Sequence, residues 1–298
     1  MADKVGFVGV GNMGGPMARN LLKRGIGLVV HDLDPRKVQA LAEAGAEVAA
    51  SPEAVARETG RFICMVETTA QAEQVLAGER GFLKGARRGT TAICMSTVDP
   101  FRLKAIAPTL AEAGITLLDA PVSGGTTGAA DGTLSIPVGG DKATFEACRD
   151  LFDAMGGNIF YAGELGSGLA MKLINNMLLH VNTVAVAEAL VMGAKAGLDI
   201  DQLFQMLQVS SGDSYALRLR GGRMVSRDFT PGGTMDISFK DQELETSLAK
   251  QLGVPVMLAN VSQQVYAMGR AMGLGREEGS SVVKVYEHFA GVTVKGGK

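Results

Sequence analysis

Short apolar runs alternate with helical patterns over the first 163 residues of the chain. Eight runs predict strands, at 4–10, 27–32, 46–49, 61–66, 91–95, 115–119, 134–138 and 158–161. Helical signals lie between most of them, such as Ser51-Pro52-Glu53, in which serine predicts an N-cap and proline the first helical position. This alternation predicts βαβ units and a parallel sheet covered by helices on both faces. The right-handed crossover rule then favours a doubly wound sheet.

From Gly163 onward the pattern becomes helical. Residues 168–196 contain no proline and one internal glycine, Gly193, which predicts a single continuous, mostly apolar helix. It would be about 40 Å long, and so apolar a helix should be covered around most of its circumference. Further helices are predicted at 199–209, 214–226, 241–252, 255–272 and 277–290. We therefore expect a doubly wound α/β domain over 1–163 and an all-helical domain over 164–298, which begins with the long connecting helix.

Composition narrows the class of protein. The 298 residues carry a formal net charge of −2 and are 46% hydrophobic, which is typical of a globular protein with a sizeable core. No basic block indicates a nucleic acid or a membrane surface as partner. The first residues enter a predicted strand at once, so we expect no signal peptide. Polar residues interrupt the longest apolar stretches before the roughly 20 residues that a membrane span needs.

Cysteine and histidine usage predicts neither disulfides nor a metal site. Cys64 and Cys94 lie in predicted strands and Cys148 in a predicted helix. Three cysteines without a CxxC motif argue against a disulfide framework, and buried cysteine behaves as a small hydrophobe. We expect three inert thiols in a reducing cytoplasm. The three histidines are far apart in sequence and lack the spacing of metal ligands.

The loop after the first predicted strand has the GxGxxG pattern of a dinucleotide site. Gly9, Gly11 and Gly14 occupy its glycine positions, with Asn12 and Met13 between the last two. The first glycine permits a tight turn, the second lets the backbone approach a pyrophosphate, and the third allows close helix–strand packing. A strand precedes the loop and a helical segment follows it, which is the context that this motif needs. We therefore predict a Rossmann-type dinucleotide-binding domain.

Polar residues follow two other strands of this domain. Asp32 ends the second predicted strand, where a carboxylate accepts hydrogen bonds from the adenosine ribose and repels a 2′-phosphate. We therefore predict NAD rather than NADP, although Arg36 nearby is a residue type that accommodates a 2′-phosphate. Ser96 and Thr97 follow the fifth strand, at the edge where open α/β sheets bind ligands. They are also suited to cap the helix that begins near Asp99.

A glycine-rich segment after the sixth strand is a candidate anion site. Ser123, Gly124 and Gly125 follow a strand end and a proline turn. Consecutive backbone N–H groups there, with the serine hydroxyl, can cradle a carboxylate. The alternative is a loop that needs glycine only for its turn. The segment alone does not decide between them.

The long helix carries a candidate proton-transfer group. Lys172 and Asn176 share one face because they are four residues apart. A partly desolvated lysine can have its pKa lowered towards about 7–8, which suits proton transfer. A lysine that extends to the surface is the alternative. Asn175 has no assigned role beyond a hydrogen bond within the structure, and His180 is interpreted as a core or interface histidine.

In combination, these motifs resemble the β-hydroxyacid dehydrogenase family, which includes 3-hydroxyisobutyrate dehydrogenase, L-threonate dehydrogenase and tartronate semialdehyde reductase. The resemblance extends over nearly the whole chain. It is carried by GVGNMGGPM at 9–17, MSTVDP at 95–100, DAPVSGG at 119–125, GTL at 132–134, GSGLAMKLINN at 166–176 and FKD at 239–241.

This resemblance implies roles for residues of both domains. Lys172 matches the catalytic lysine of the family and Asn176 its substrate-positioning asparagine, while residues 123–125 match the loop that binds the substrate carboxylate. Thr97 and Lys240 match positions that contact the cofactor, Lys240 from the helical domain. The helical domain would then serve substrate binding and oligomerisation, since family members are usually dimers or tetramers.

We therefore expect NAD-dependent oxidation of a small β-hydroxyacid, such as 3-hydroxyisobutyrate or a short sugar acid like threonate, or reduction of the matching semialdehyde or ketoacid. Asn175 replaces the histidine of 6-phosphogluconate dehydrogenases, which argues against that substrate. The segment MVETT at 65–69 replaces the Met-Leu-Pro common in the family, whereas 211–215 and 228–231 look closer to threonate-type members.

Two other interpretations use the same fold. A non-catalytic cofactor-binding scaffold is disfavoured because the chain has Lys172, Asn176 and Ser123 together. An imine reductase is disfavoured because such enzymes generally lack lysine at position 172.

Overall fold

The structure is a computed structural model that describes residues 4–297, and its α/β part contains one eight-stranded sheet. The strands are Val5–Val8 (β1), Leu28–His31 (β2), Glu47–Val48 (β3), Arg61–Cys64 (β4), Thr91–Cys94 (β5), Thr116–Asp119 (β6), Leu134–Gly139 (β7) and Gly156–Gly163 (β8). Their order is β3-β2-β1-β4-β5-β6-β7-β8. The first six strands have the 3-2-1-4-5-6 order of a doubly wound dinucleotide-binding fold, as predicted.

The sheet is not parallel throughout, which corrects the sequence prediction. β1 to β6 pair in parallel, whereas β7 is antiparallel to β6 and parallel to β8. After β6 the chain continues to Ser123, which forms an antiparallel bridge with Ser135. The helix between these two serines has only seven residues, about 10 Å, so it returns the chain beside its incoming segment instead of crossing a face of the sheet.

Within residues 4–297, nine helices accompany the sheet. They are Gly14–Lys23 (α1), Pro35–Ala42 (α2), Pro52–Glu58 (α3), Thr69–Ala77 (α4), Phe82–Gly85 (α5), Pro100–Glu112 (α6), Gly125–Asp131 (α7), Lys142–Ala147 (α8) and Arg149–Met155 (α9). Phe7 and Ile63 belong to one buried apolar cluster and Val8 and Phe62 to another. Because successive strand residues point to opposite faces, the sheet is buried on both.

The remaining chain is helical. Its helices are Ser167–Lys195 (α10), Ile200–Gln208 (α11), a π-helix at Leu217–Gly221, Gly222–Ser226 (α12), Met235–Gln251 (α13), Met257–Ala271 (α14), a 3₁₀-helix at Gly279–Val282 and Val283–Ala290 (α15). α13 begins six residues before its predicted start, because the Thr234 side chain caps it by accepting from the backbone of Ile237. The π-helix interrupts the helix predicted over 214–226.

The chain forms two compact units, Met1–Lys172 and Leu173–Lys298, and α10 runs through the boundary. The expected domain limits of 1–163 and 164–298 stay a prediction. In the part of the chain that the structure describes, α10 alone is long and apolar enough to cross a membrane by length and hydropathy, which the interrupted apolar runs of the sequence did not predict. It also contains buried polar side chains, including Lys172, Asn176 and His180, and we interpret it as a core helix.

Candidate active site

The fold itself requires two glycines of the GxGxxG loop. Gly9, directly after β1, has a φ of 89°, and a Cβ there would lie 2.1 Å from the Met65 carbonyl oxygen. A Cβ on Gly14 would lie 2.0 Å from the carbonyl oxygen of Gly9. Gly9 therefore lies against the loop after β4, and Gly14, at the start of α1, lies against Gly9. A side chain at either position would displace backbone.

Gly11 is different, because the protein leaves the space beside it open. The nearest atom to a Cβ on Gly11 would be Lys37 Nζ at 3.9 Å. A cavity of about 290 Å³ lies there, and it is lined by Val10, Gly11, Asn12, Gly15, Pro16, Arg19, Lys37, Ala40 and Leu41. Asn12 and Met13 precede α1, whose first-turn N–H groups form the positive end of a helix dipole. These features fit the pyrophosphate of a dinucleotide, which needs close access to the backbone at Gly11.

The carboxylate of Asp32 is held in a fixed orientation at the end of β2. Its Oδ2 accepts from the backbone N–H of Val10 at 2.9 Å, and its Oδ1 accepts from that of Asp34 at 2.9 Å. Lys37 Nζ lies 3.8 Å from Oδ1. Asp32 is therefore tied to the GxGxxG loop, and its role in ribose binding stays a prediction.

Arg36 is directed at another acid. Its Nε and Nη2 donate to the two carboxylate oxygens of Asp34 at 2.9 and 2.8 Å. These bonds from Arg36 lower the pKa of the Asp34 carboxyl to about 2. Asp34 also caps α2 by accepting from the Arg36 backbone. The arginine that the sequence offered for a 2′-phosphate is thus paired with a neighbouring carboxylate.

Ser96 and Thr97 follow β5, but neither of them caps the next helix. Asp99 caps α6, since its side chain accepts from the backbone N–H groups of Phe101 and Arg102. Ser96 is fully buried, and its hydroxyl accepts from the backbone of Val66 at 2.7 Å. It therefore fixes the loop after β4 to the loop after β5, and Thr97 is partly exposed directly beyond it.

The segment at 65–69, after β4, ends in a helix cap. Thr68 caps α4 by accepting from the backbone of Gln71, and the Gln71 side chain accepts from the backbone of Thr68 in return. This reciprocal arrangement is a capping box. Thr68 thus starts a helix beside the sheet edge.

Ser123 and Lys172 are brought together within the first unit. Lys172 Nζ donates to Ser123 Oγ at 3.3 Å, and the lysine is only 8% exposed. Gly124 and Gly125 have φ values of 133° and 65°, and both are exposed at the start of α7. A Cβ on Gly125 would meet no atom within 4 Å, so the protein's own packing leaves the space beside this glycine open. The lysine is therefore buried and held at the loop formed by residues 123–125, instead of extending to the surface.

Asp119 is a supporting residue that the sequence reasoning missed. It lies at the end of β6, is fully buried, and accepts from the backbone of Gly166 and of Leu169, each at 2.6 Å. These bonds anchor the first turn of α10 and thereby fix the part of the helix that bears Lys172. Burial raises the pKa of the Asp119 carboxyl, although the two N–H donors oppose the shift. The signal available in the sequence was an acid that ends an apolar strand.

Asn176 and Lys240 meet within the second unit through Asp241. Asn176 Nδ2 donates to Asp241 Oδ2 at 2.9 Å, and Lys240 Nζ lies 2.9 Å from Asp241 Oδ1. Asn175 Nδ2 donates to Asn176 Oδ1 at 3.3 Å. The amide of Asn176 is therefore held from both ends. In the sequence Asp241 stands out only as the last residue of the FKD motif, and its bridging position appears only in the structure.

His180 is buried in the helical core, as the sequence suggested. Its Nδ1 lies 2.9 Å from Glu245 Oε1, and the two side chains are 4% and 2% exposed. All three cysteines are buried and free, and burial raises the pKa of the Cys148 thiol to about 11. Among residues 4–297, no cluster of three or more histidine, cysteine, aspartate or glutamate side chains could hold a metal.

Comparison with family models divides the chain into two known parts. Residues 4–163 match the NAD binding domain of 6-phosphogluconate dehydrogenase. Residues 166–286 match the domain described as the NAD-binding domain of NADP-dependent 3-hydroxyisobutyrate dehydrogenase. Together the two matches cover both the glycine loop and the helical unit.

Individual relatives are similar over nearly their whole length. The 2-(hydroxymethyl)glutarate dehydrogenase of Eubacterium barkeri is 40% identical over 296 residues, 99% of this chain and 98% of the relative. The mitochondrial 3-hydroxyisobutyrate dehydrogenase of Rattus norvegicus is 37% identical over 291 residues, 95% of this chain and 87% of the relative.

A solved structure agrees in fold. The 3-hydroxyisobutyrate dehydrogenase of Mycobacterium tuberculosis, in a structure described with L-serine, is 30% identical with a TM-score of 0.86, over 96% of this chain and 99% of that one. The enzymatic interpretation is thereby confirmed over the scaffold alternative. The chain belongs to the 3-hydroxyisobutyrate dehydrogenase family and is an NAD(P)-dependent β-hydroxyacid dehydrogenase that acts on small hydroxyacids.

Proposed function

We propose that this enzyme oxidises the β-hydroxyl group of a small 3-hydroxy carboxylate, such as 3-hydroxyisobutyrate or a short sugar acid like threonate, with NAD, or reduces the matching semialdehyde or ketoacid, with Lys172 as general base or acid. The observation that carries the proposal is the contact between the buried Lys172 amine and the Ser123 hydroxyl on an open, glycine-rich loop. This contact places a proton acceptor beside a site suited to a carboxylate.

The loop at 123–125 would bind the substrate's carboxylate. The backbone N–H groups at 124–125 and the hydroxyl of Ser123 are suited to donate hydrogen bonds to its oxygens, and no side chain occupies the space beside Gly125. A carboxylate held there places the carbon that bears the β-hydroxyl within reach of Lys172. In oxidation the neutral amine of Lys172 takes the hydroxyl proton, and in reduction its ammonium form returns a proton to the carbonyl oxygen.

Asn176 would position the substrate. It lies one helical turn after Lys172 on α10, and its amide is oriented by Asp241. Lys240, which is paired with the same carboxylate, is proposed to contact the cofactor together with Thr97.

The glycine loop with Gly9, Gly11, Asn12, Met13 and Gly14 would hold the dinucleotide. A dinucleotide bound there would supply the hydride acceptor for the oxidation. We propose NAD rather than NADP because the Asp32 carboxylate is fixed by two backbone N–H groups and would repel a 2′-phosphate. Arg36, paired with Asp34, is not directed to offset that repulsion.

The substrate class is tested by following NADH formation at 340 nm across a panel of hydroxyacids. The panel contains 3-hydroxyisobutyrate, 2-(hydroxymethyl)glutarate, 3-hydroxypropionate, glycerate, L-threonate, D-erythronate and L-serine, each with NAD and with NADP. We expect turnover of at least one 3-hydroxy acid, with NAD favoured. Silence across the panel with NADH binding intact would contradict the proposed substrate class. A preference for NADP would contradict the role assigned to Asp32.

We also propose that the enzyme is a homodimer or homotetramer assembled through the helical unit. On α14, Met257, Leu258 and Val261 are 78%, 71% and 59% exposed. A contiguous apolar helix face of this kind is a common interface. Light scattering coupled to gel filtration should give a multiple of 31.0 kDa, and a monomer would contradict this assignment.

We further propose a cytoplasmic location. The buried free thiols support it, because such thiols are typical of a reducing compartment.

A further inference from the structure

α10 and α13 are joined by two polar contacts of the same kind. The first is Asn176 with Asp241 and the second is His180 with Glu245, each at 2.9 Å. On both helices the second residue follows the first by four positions, which is about one turn. The His180–Glu245 pair is therefore the next step along the same helix–helix contact, away from the active-site end.

The His180–Glu245 pair is deeply buried. The side chains of His180 and Glu245 are 4% and 2% exposed. The ring of Tyr266 packs edge-on against the imidazole, with centroids 5.7 Å apart, and Tyr266 itself is 1% exposed. Neither partner has room to change rotamer without disturbing a packed core.

A buried polar pair is an expensive way to join two helices. Apolar side chains of similar volume would hold the helices together as well or better, because each polar group must first be removed from water. What a hydrogen-bonded pair adds is registration, since the two atoms must meet at one distance and one angle. A slip of either helix by one residue would break both the His180 and the Asn176 contacts.

We propose that His180 and Glu245 are a positioning pair that fixes the register of α10 against α13 and so holds the Asn176 amide in its working orientation. This inference rests on the substrate-positioning role proposed for Asn176. Neither residue of the pair contacts the reacting atoms. Its effect reaches the reaction through the helix turn that connects His180 to Asn176 and through the turn that connects Glu245 to Asp241.

The test compares variants that break the pair with variants that preserve a hydrogen bond. His180→Ala and Glu245→Ala should lower kcat/KM for the hydroxyacid about 10- to 100-fold, because small misplacements of a positioning group are costly. NADH affinity should stay within about threefold of wild type. His180→Gln and Glu245→Gln retain a donor and an acceptor respectively, so they should retain most of the activity.

The same helix offers a matched control. Ser262 Oγ donates to Gln242 Oε1 at 2.8 Å, and both residues are buried. Ser262→Ala therefore removes a buried hydrogen bond of α13 that does not involve α10. We expect this variant to unfold at a lower temperature and to keep its kcat/KM within about twofold. A purely structural role for His180 would give the same behaviour in His180→Ala.

The double variant His180→Ala/Glu245→Ala separates stability from positioning. It removes the buried carboxylate that has lost its imidazole partner in His180→Ala, so it should recover thermal stability relative to that single variant. The contact that fixes the register of α10 against α13 would still be missing. We therefore expect its kcat/KM to stay as low as that of the worse single variant. Recovery of activity together with stability would overturn the proposal.

A second measurement reads the position of Asn176 without turnover. In protein labelled with ¹⁵N-asparagine, the side-chain amide signal of Asn176 is identified by its loss in Asn176→Asp. This signal should shift in His180→Ala and stay in place in Ser262→Ala. An unshifted signal in His180→Ala overturns the inference. If wild type turns over none of the hydroxyacids, the proposed function fails, yet the amide signal still decides whether the pair positions Asn176.

Discussion

The glycine loop of the first unit and the α10–α13 contact of the second unit hold polar groups in place by different means. In the loop, backbone geometry sets the site, since Gly9 and Gly14 permit approaches that no side chain would allow. Between the helices, side chains set the site, through the Asn176–Asp241 and His180–Glu245 contacts. The partners in each contact are 65 residues apart in sequence.

This difference predicts how each part of the site responds to substitution. A site formed by backbone, such as the GxGxxG loop, is disrupted when a Cβ is added, and it is insensitive to most neighbouring side chains. A site formed by side chains, such as the α10–α13 contact, is disrupted when either partner is shortened, and the contributions of its residues are coupled. We therefore expect loop variants to affect cofactor affinity and helix variants to affect the handling of the hydroxyacid.

The largest expected effect is on the chemical step. Lys172→Ala removes the proposed general base, and kcat should fall about 10²–10⁴-fold. NADH affinity should remain near that of wild type, because the glycine loop is untouched. Steady-state kinetics and calorimetry with NADH check the two parts. Lys195→Ala is the control on the same helix, since Lys195 Nζ donates to the backbone of Ala290 in an exposed position.

A pair of glycine variants sharpens the contrast within the loop. Gly11→Ala adds a Cβ that would meet no protein atom closer than 3.9 Å, so the fold should stay stable while KM for NAD rises about tenfold or more. Gly14→Ala places its Cβ 2.0 Å from the Gly9 carbonyl oxygen and should lower the free energy of unfolding by about 1–3 kcal/mol. Thermal melts and initial rates distinguish the two. Equal destabilisation in both variants would contradict the cofactor-access role of Gly11.

Breaking the helix contact at its active-site end should have an intermediate effect. Asp241→Ala leaves the Asn176 amide and the Lys240 ammonium without this shared acceptor. We expect kcat/KM for the hydroxyacid to fall about 10- to 100-fold, in the range of a hydrogen bond to a charged group and at least as much as in the His180 and Glu245 variants. Asp236→Ala serves as the control, because Asp236 lies on the same helix in an exposed pair with Arg270. Equal kinetics in the two variants would contradict the orienting role of Asp241.

The smallest expected effect is a pH dependence at the start of α10. Burial raises the pKa of the Asp119 carboxyl above its ordinary value of 3.8, so the folded state binds this proton more tightly than the unfolded state. The resulting stabilisation is complete below that ordinary value and is lost as pH rises through the folded-state pKa. Asp119→Asn lacks this titration.

Urea unfolding at several pH values measures this effect. The free energy of unfolding of wild type, relative to Asp119→Asn, should decrease as pH rises from about 4, by no more than about 1–3 kcal/mol in total. A difference that increases with pH would show that the N–H groups of Gly166 and Leu169 outweigh burial.

Much of the first unit could be predicted from the sequence. The eight apolar runs each form a strand, and Ser51-Pro52 starts a helix as expected, because these signals act over a few residues. The turn at the GxGxxG loop and the position of Asp32 directly after β2 could be predicted for the same reason, while their roles in cofactor binding stay predictions. The reversal of β7 could not, since it depends on how the chain folds back after Ser123.

The supporting residues of the site could not be found in the same way. Asp119 acts on residues 47 and 50 positions away, and Glu245 on a histidine 65 positions away. No periodicity or local motif links such partners. Thr234 likewise starts α13 earlier than its apolar pattern predicts, because a single side-chain cap decides where the helix begins.

The most direct test of the central claim is chemical rescue of Lys172→Ala by small primary amines. The missing side chain leaves room beside Ser123 Oγ, where an added amine can accept the proton in its place. We predict that kcat with the best hydroxyacid rises with the concentration of methylamine or ethylamine, and that the rise increases with the basicity of amines of equal size. An unchanged rate at every amine concentration, with NADH and hydroxyacid still bound, would contradict the role of Lys172 in proton transfer.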